Sequence, residues 1–219
     1  MAELITSEDE QLETLKRWWK EYGKAIIAGI VLAGAGVFAW NAWQDYQASQ
    51  AEAASQRYQQ LTMLMQQPQM SAEQREQATT MIDGLESEHG GTLYAELAEL
   101  MRARLAVDAD DLEGARETLS SFIDGSEHAY LSGLARLNLA RVQIALDNAE
   151  GALTTLEGDI PTALAAQAAE ISGDAHAALD QPDEARQAYQ DALARAEEQD
   201  QPLSGVRLKL DNLGVEDAS

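Results

Sequence analysis

Apolar residues follow three successive rhythms along this chain. Before Lys24, Leu12, Leu15, Trp19 and Tyr22 recur at helical spacing, behind a Ser7-Glu8-Asp9-Glu10 capping box suited to a helix start. From Ala25 to Gln44 the polar positions vanish: AIIAGIVLAGAGVFAWNAWQ contains no charged residue. Its apolar part, Ala25 to Trp43, is 19 residues long. As a helix that rises about 28 Å, close to the roughly 30 Å of a hydrocarbon core. Trp18, Trp19 and Tyr22 precede it, and Trp40, Trp43 and Tyr46 close it. Amphipathic rings settle at both headgroup levels in this way. The pattern predicts a transmembrane helix over residues 25–44. A buried soluble helix rarely runs so far without a charge, and Gly29, Gly34 and Gly36 would weaken one in water.

Beyond the span the rhythm returns to amphipathic helices with short polar breaks. The expected helices cover 46–66, 72–88, 93–108, 111–123, 129–146, 149–157, 163–179, 183–197 and 203–213. Three of the breaks read alike, at Asp108–Ala115, Leu146–Ala152 and Leu179–Ala185. Each has acidic or amide turn residues, then a Glu, then a small residue opening the next helix. With Ala78 one repeat earlier, the small residues Ala78, Ala115, Ala152 and Ala185 are spaced by 37, 37 and 33. Spacing near 34 is the period of tetratricopeptide helical hairpins. Ala103, Ala140 and Gly173 stand twelve residues before the last three and would supply the facing helix. Small residues are needed there because a larger side chain would hold the helix axes apart. Ile82, Leu119, Leu156 and Tyr189 follow each alanine by four and would fill the next core layer. The first unit, with its long Gln66–Ser71 loop, fits least well. The fold class is all-α: one N-terminal transmembrane helix followed by a tetratricopeptide-like hairpin solenoid.

Charge then orients the chain. There are 15 Lys+Arg against 38 Asp+Glu, a formal net charge of −23, which opposes nucleic-acid binding. The 39 alanines and four prolines, all placed between periodic segments, suit a helical protein. Lys16, Arg17, Lys20 and Lys24 flank the span on its N-terminal side, and the next basic residue is Arg57. Lys/Arg excess marks the cytoplasmic end. Residues 1–24 are therefore expected in the cytoplasm and 45–219 outside it, as a single-pass type II protein. The long acidic leader does not resemble the short basic start of a cleaved signal, so the span reads as an uncleaved anchor. The exported part carries eleven basic and 32 acidic residues. Within the span Ala25, Gly29 and Ala33 recur every fourth residue, a spacing at which a second transmembrane helix could approach closely.

Candidate chemistry adds little. Zero cysteines remove disulfides, thiolates, Cys-based zinc sites and a lipidated anchor. His89, His128 and His176 fall on separate units without metal-ligand spacing. There is no nucleophile elbow and no phosphate-cradling loop. Asp108, Asp110 and Asp111 begin like a calcium loop, but Leu112 stands where an oxygen ligand belongs, and a repeat turn accounts for them better. No enzyme activity, cofactor or metal is expected.

These residues together resemble a family. Leu15-Lys16-Arg17-Trp18-Trp19, Tyr22-Gly23-Lys24-Ala25 and the Gly-rich span are similar to the ancillary subunit of the bacterial SecYEG translocon. So are Leu139-Ala140-Arg141-Val142-Gln143 with Ala152-Leu153, Gly173 with Ala185-Arg186, and Lys209-Leu210-Asp211-Asn212-Leu213. The resemblance covers nearly the whole chain. It implies an inner-membrane protein with a periplasmic tetratricopeptide-like domain. It further implies association with the SecYEG translocon and a membrane-anchored prolyl-isomerase-like chaperone, and the passing of exported polypeptides to periplasmic chaperones. An alternative carried by the same resemblance is a stress-response regulator acting through residues 1–24 on a response regulator. An outer-membrane assembly scaffold would ordinarily be lipid-anchored, which zero Cys disfavours. The chain departs from the family's commoner pattern in its acidic exported part, where Lys209 is the one lysine.

Overall fold

A computed structural model describes the backbone of residues 3–67 and 70–216 and the side chains of residues 12–67 and 70–213. Helix α1 (Glu3–Met65) is unbroken. Residues 25–44 and 46–66, expected as separate helices, share it because no Gly or Pro interrupts the chain between Val37 and Met65. The helix also begins upstream of Ser7, since Leu4, Ile5 and Thr6 offer no break. The expected cap at Ser7 is therefore interior to α1, and the side chains of Ser7 and Glu10 lie outside the described residues. The chain forms two compact units, Met1–Glu52 and Ala53–Ser219.

The second unit is a stack of helical hairpins. The end of α1 and α2 (Ala72–His89) form the first, joined by the Gln66–Ser71 loop, of which residues 68–69 lie outside the described residues. Ser71 opens α2 with a capping box: its hydroxyl accepts from the Gln74 N–H at 3.2 Å, and its own N–H donates to Gln74 Oε1 at 2.8 Å. The further pairs are α3 (Leu93–Asp108) with α4 (Leu112–Gly125), α5 (Ala129–Ala145) with α6 (Ala149–Leu156), and α7 (Ala165–Ala178) with α8 (Pro182–Glu198). A 3₁₀ turn at Thr162–Leu164 precedes α7 where the sequence predicts more α-helix. The last helix, α9 (Val206–Glu216), begins later than expected because Gly205 adopts φ +94. Leu203 consequently reaches the core from the loop.

The first three core clusters each draw on more than one hairpin, which is what makes the stack a solenoid, and the last joins the fourth hairpin to α9. Ala54, Leu61 and Met65 of α1 pack with Ala78, Ile82 and Leu85 of α2 and with Ala98 and Leu105 of α3. Ala103, Ala115, Leu119 and Phe122 meet Leu131, Ala135, Leu139 and Val142 of α5. Ala140, Ala149 and Ala152 meet Leu164, Ile171 and Ala175. At the end Ala185, Tyr189 and Ala192 meet Val206.

The turns within the last three hairpins share one backbone device. Asp110, Asp147 and Asp180 adopt φ 61, 59 and 56. The following N–H of Asp111, Asn148 and Gln181 reaches back to the carbonyls of Ala106, Gln143 and His176 at 2.9, 2.8 and 3.0 Å. This left-handed closure satisfies carbonyls that a helix end otherwise leaves open. Aspartate tolerates it better than most residues, its short polar side chain bonding locally. The next residue then starts the following helix: Asp111 accepts from the Gly114 N–H at 3.0 Å and Asn148 from the Gly151 N–H at 3.1 Å. In the last hairpin Gln181 makes no side-chain cap bond, and Pro182, whose ring presets a helical φ, opens α8 instead. Asp200 (φ 52) closes α8 by the same device, with Gln201 N–H bonded to the Ala196 carbonyl at 2.9 Å.

Polar contacts fasten the end of the stack. Lys209 Nζ on α9 lies 2.9 Å from Glu170 Oε1 and 2.7 Å from Asp174 Oδ1, both on α7. The Tyr189 hydroxyl of α8 donates to Asp174 Oδ1 at 2.8 Å, and Lys209 stands 5.9 Å from the Tyr189 ring centre. Burial raises the Tyr189 phenol above its ordinary range, reinforced by the hydrogen bond to Asp174 and by the charges of Asp174 and Glu170. Burial alone would lower the Lys209 ammonium, but its hydrogen bonds to Asp174 and Glu170 prevail and raise it.

Three outcomes are expected of unfolding measurements on the full chain in detergent. Asp147→Ala should cost about 1 kcal/mol and Asp147→Gly should not, because glycine alone accepts positive φ without a Cβ penalty. Equal losses for both would contradict the turn account. Gly173→Ala should destabilise by about 1–3 kcal/mol through overpacking, although alanine is the better helix former by about 1 kcal/mol. The added Cβ would collide with the Tyr189 ring. Third, Tyr189 and Lys209 both hold their protons more tightly folded than unfolded. Their contribution is complete below the unfolded values, near pH 10, and is lost as pH rises beyond them. Denaturation midpoints should therefore fall above about pH 10 and fall less steeply in Lys209→Met.

Candidate interaction surfaces

In the first unit α1 presents its apolar side chains outward. Helix α1 is long and apolar enough to cross a membrane, and its apolar stretch is unburied. Ile30, Leu32 and Phe38 are each about two-thirds exposed or more. Ala25, Gly29 and Ala33 lie exposed along it, and an added Cβ at Gly29 would meet no atom within 4 Å. Lys16, Arg17, Lys20 and Lys24 are exposed around the helix before this stretch. The Trp18 and Tyr22 rings are tilted by 40° with centres 6.0 Å apart, and those of Trp40 and Trp43 by 37° at 5.2 Å. The Trp19 indole lies over Gly23, where a Cβ would come within 3.1 Å of the ring. That contact explains a glycine inside an otherwise strong helix.

In the second unit the small residues singled out by spacing are buried. Ala78, Ala115, Ala140, Ala152 and Ala185 are fully inaccessible, and Ala103, Gly173 and Tyr189 nearly so. So buried, they offer little surface to a ligand, and the Tyr189 hydroxyl is already bonded to Asp174. The three histidines stay apart: His89 is buried at the end of α2, His128 Nδ1 lies 2.8 Å from Glu96, and His176 Nδ1 lies 2.7 Å from Gln181. Among the described residues no group of three or more His, Asp or Glu is arranged to hold a metal ion.

The accessible concavities lie between hairpins. One, of about 290 Å³, runs between α3 and α5 with α4 as its floor. Leu100, Val107, Leu112 and Val142 supply apolar surface, and Arg104, Asn138 and Arg141 supply the polar groups. A more open one, of about 460 Å³, lies against α6, α7 and α8 and carries Glu157, Asp191 and Arg195. Arg104 and Arg141 were not identified by the packing pattern, yet a signal for them exists in the same spacing. Each directly follows the small residue of its helix, Ala103 or Ala140, so the crossing that buries the alanine turns the arginine outward. The third such position, after Gly173, is Asp174, which Lys209 neutralises.

Comparison with known proteins agrees with this architecture. Residues 16–215 match the tetratricopeptide repeat-like domain family. A protein of Haemophilus influenzae named ancillary SecYEG translocon subunit is 31% identical over 206 residues, covering 94% of this chain and 97% of that one. The protein of the same name from Aggregatibacter actinomycetemcomitans is 34% identical over 202 residues, covering 92% and 96%. The Escherichia coli protein of that name is 28% identical over 213 residues, covering 97% and 100%. The alignments embrace the apolar part of α1 as well as the hairpin stack, and this chain belongs to the ancillary SecYEG translocon subunit family, with its tetratricopeptide repeat-like domain.

Proposed function

We propose that this protein is a non-enzymatic accessory subunit of the SecYEG translocon that links exported polypeptides to periplasmic chaperones through protein–protein contacts. The observation that carries the reading is near full-length similarity to proteins named as translocon subunits, in a chain that joins an exposed apolar helix to a hairpin stack. Helix α1 anchors the chain in the bacterial inner membrane. Residues 1–24 face the cytoplasm because Lys16, Arg17, Lys20 and Lys24 flank that end, and residues 45–219 face the periplasm. Trp18, Trp19, Trp40 and Trp43 set the depth of the span, and Ala25, Gly29 and Ala33 form the face that meets a translocon helix. The hairpin stack offers extended surface to exported chains and to a membrane-anchored prolyl-isomerase-like chaperone. No observation favours the regulatory alternative through residues 1–24.

Photocrosslinkers placed in turn along α1 and along α3, α5 and α7, read by mass spectrometry in cells, are expected to capture translocon subunits from the span and chaperone or exported chains from the stack. Capture of neither would overturn the proposal. The absence of cysteine allows the topology to be read by single substitutions. A membrane-impermeant maleimide applied to cells with a permeabilised outer membrane should label Glu127→Cys and spare Glu13→Cys.

A further inference from the structure

The cations of the second unit are not all treated alike. Arg57, Arg102, Arg116, Arg186 and Arg195 each stand 2.6–2.8 Å from a carboxylate. Lys209 holds two carboxylates. Arg75 donates to the Met70 carbonyl at 3.1 Å, and no described carboxylate pairs with Arg75, Arg136 or Arg207. What sets the two arginines of the α3–α5 groove apart is that they share one concavity. Asp108 is 3.8 Å from Arg104 with both side chains largely exposed, a contact that contributes little. Arg141 bonds the Asn138 amide oxygen at 3.2 Å, and no described carboxylate pairs with it. No acidic side chain lines the groove. Acids outnumber bases by 32 to eleven in residues 45–219, so a groove with two guanidiniums and no carboxylate runs against the composition around it. The neighbouring concavities carry Glu157 and Asp191 in one case, Glu197 and Asp200 in another.

The geometry explains how this arises and what it fits. Arg104 and Arg141 occupy the same place on successive equivalent helices, 37 residues apart. Helices packed as neighbours lie about 8–10 Å apart. An extended chain covers that distance in about three residues at about 3.4 Å each. Between the arginines lies apolar surface from Leu100, Val107 and Val142. A guanidinium forms paired hydrogen bonds with a carboxylate, and an apolar floor strengthens them by excluding water.

We propose that the α3–α5 groove takes an extended segment of an exported polypeptide whose Asp or Glu carboxylates, about three residues apart, meet Arg104 and Arg141 while aliphatic side chains rest on the floor. This rests on the accessory-subunit reading and names the chemistry its clients present. The acidic remainder of the unit repels such a segment elsewhere, so the groove is where it is admitted.

The test uses the full chain in detergent and three dye-labelled peptides of repeating Val-Ser-Glu, Val-Ser-Gln and Val-Ser-Lys, followed by fluorescence anisotropy near physiological salt. The glutamate peptide should bind more tightly than the glutamine peptide despite the protein's net charge of −23. Arg104→Gln and Arg141→Gln should each weaken it about tenfold. Arg116→Gln, outside the groove and paired with Glu113, should leave it unchanged. Both groove arginines are exposed, so circular dichroism should show the variants folded. Arg104→Lys should keep part of the affinity through its charge. Equal binding of the glutamate and glutamine peptides, undiminished binding in the double glutamine variant, tightest binding of the lysine peptide through that double variant and wild type alike, or no binding at all would each overturn the groove proposal. Crosslinking of the same variants to the translocon reads the accessory role separately: lost crosslinks with intact peptide binding would fall on that role and not on the groove.

Discussion

Close approach of the two helices in each hairpin is the constraint on which the remainder depends. Ala103 and Ala115 share one core cluster and Ala140 and Ala152 the next, while Gly173 and Ala185 are buried in the last hairpin, all with side chains of one carbon or none. Short turns can join helices so closely set only if the chain reverses within a few residues. The left-handed aspartates accomplish that, returning the next N–H to the carbonyl five residues back. Close crossing and tight turn are therefore two consequences of one geometry, and both repeat at intervals of 37 and 33 residues. The last hairpin takes the approach furthest, with Gly173 receiving the ring of Tyr189 directly.

Electrostatics is arranged around that geometry. The residue after each small crossing residue points away from the crossing, and in successive hairpins it is Arg104, Arg141 and Asp174. The first two line a groove, Arg104 loosely paired with Asp108 and Arg141 bonded to Asn138, and the third is used internally, tied to Lys209 and Tyr189. The same position in the repeat thus serves a partner-facing surface in the middle of the stack and closure at its end. The one lysine of residues 45–219 is spent on that closure, since α9 has no further hairpin to stack against and needs a fixed attachment to α7.

Much of this architecture was legible in residue spacing. Small residues at repeating intervals fall at buried positions, and a charge-free stretch bounded by tryptophans foretold the apolar helix, because both depend on periodicities that survive in one dimension. Helix limits from α2 to α8 lie close to those expected, the main departures being the 3₁₀ turn before α7 and the later start of α9. The merging of span and first repeat helix was not foreseen: the change from apolar to amphipathic pattern after Trp43 looks like a boundary, yet nothing there interrupts backbone hydrogen bonding. Asp110, Asp147 and Asp180 were visible as turn residues, but their handedness was not, because aspartate serves as well in an N-cap as in a left-handed closure.

The groove marks the division between the two kinds of information. Sequence alone determines the all-α class, the repeat period, the apolar helix and the excess of acid, since each is a matter of composition or local period. Tertiary structure decides which of eleven cations in residues 45–219 find carboxylates, because pairing joins residues far apart in the chain: Lys209 with Glu170, Arg102 with Asp83, Arg57 with Glu88. Tertiary structure also brings Arg104 and Arg141 together in one groove that no acidic side chain lines, with Arg104 held only loosely by Asp108.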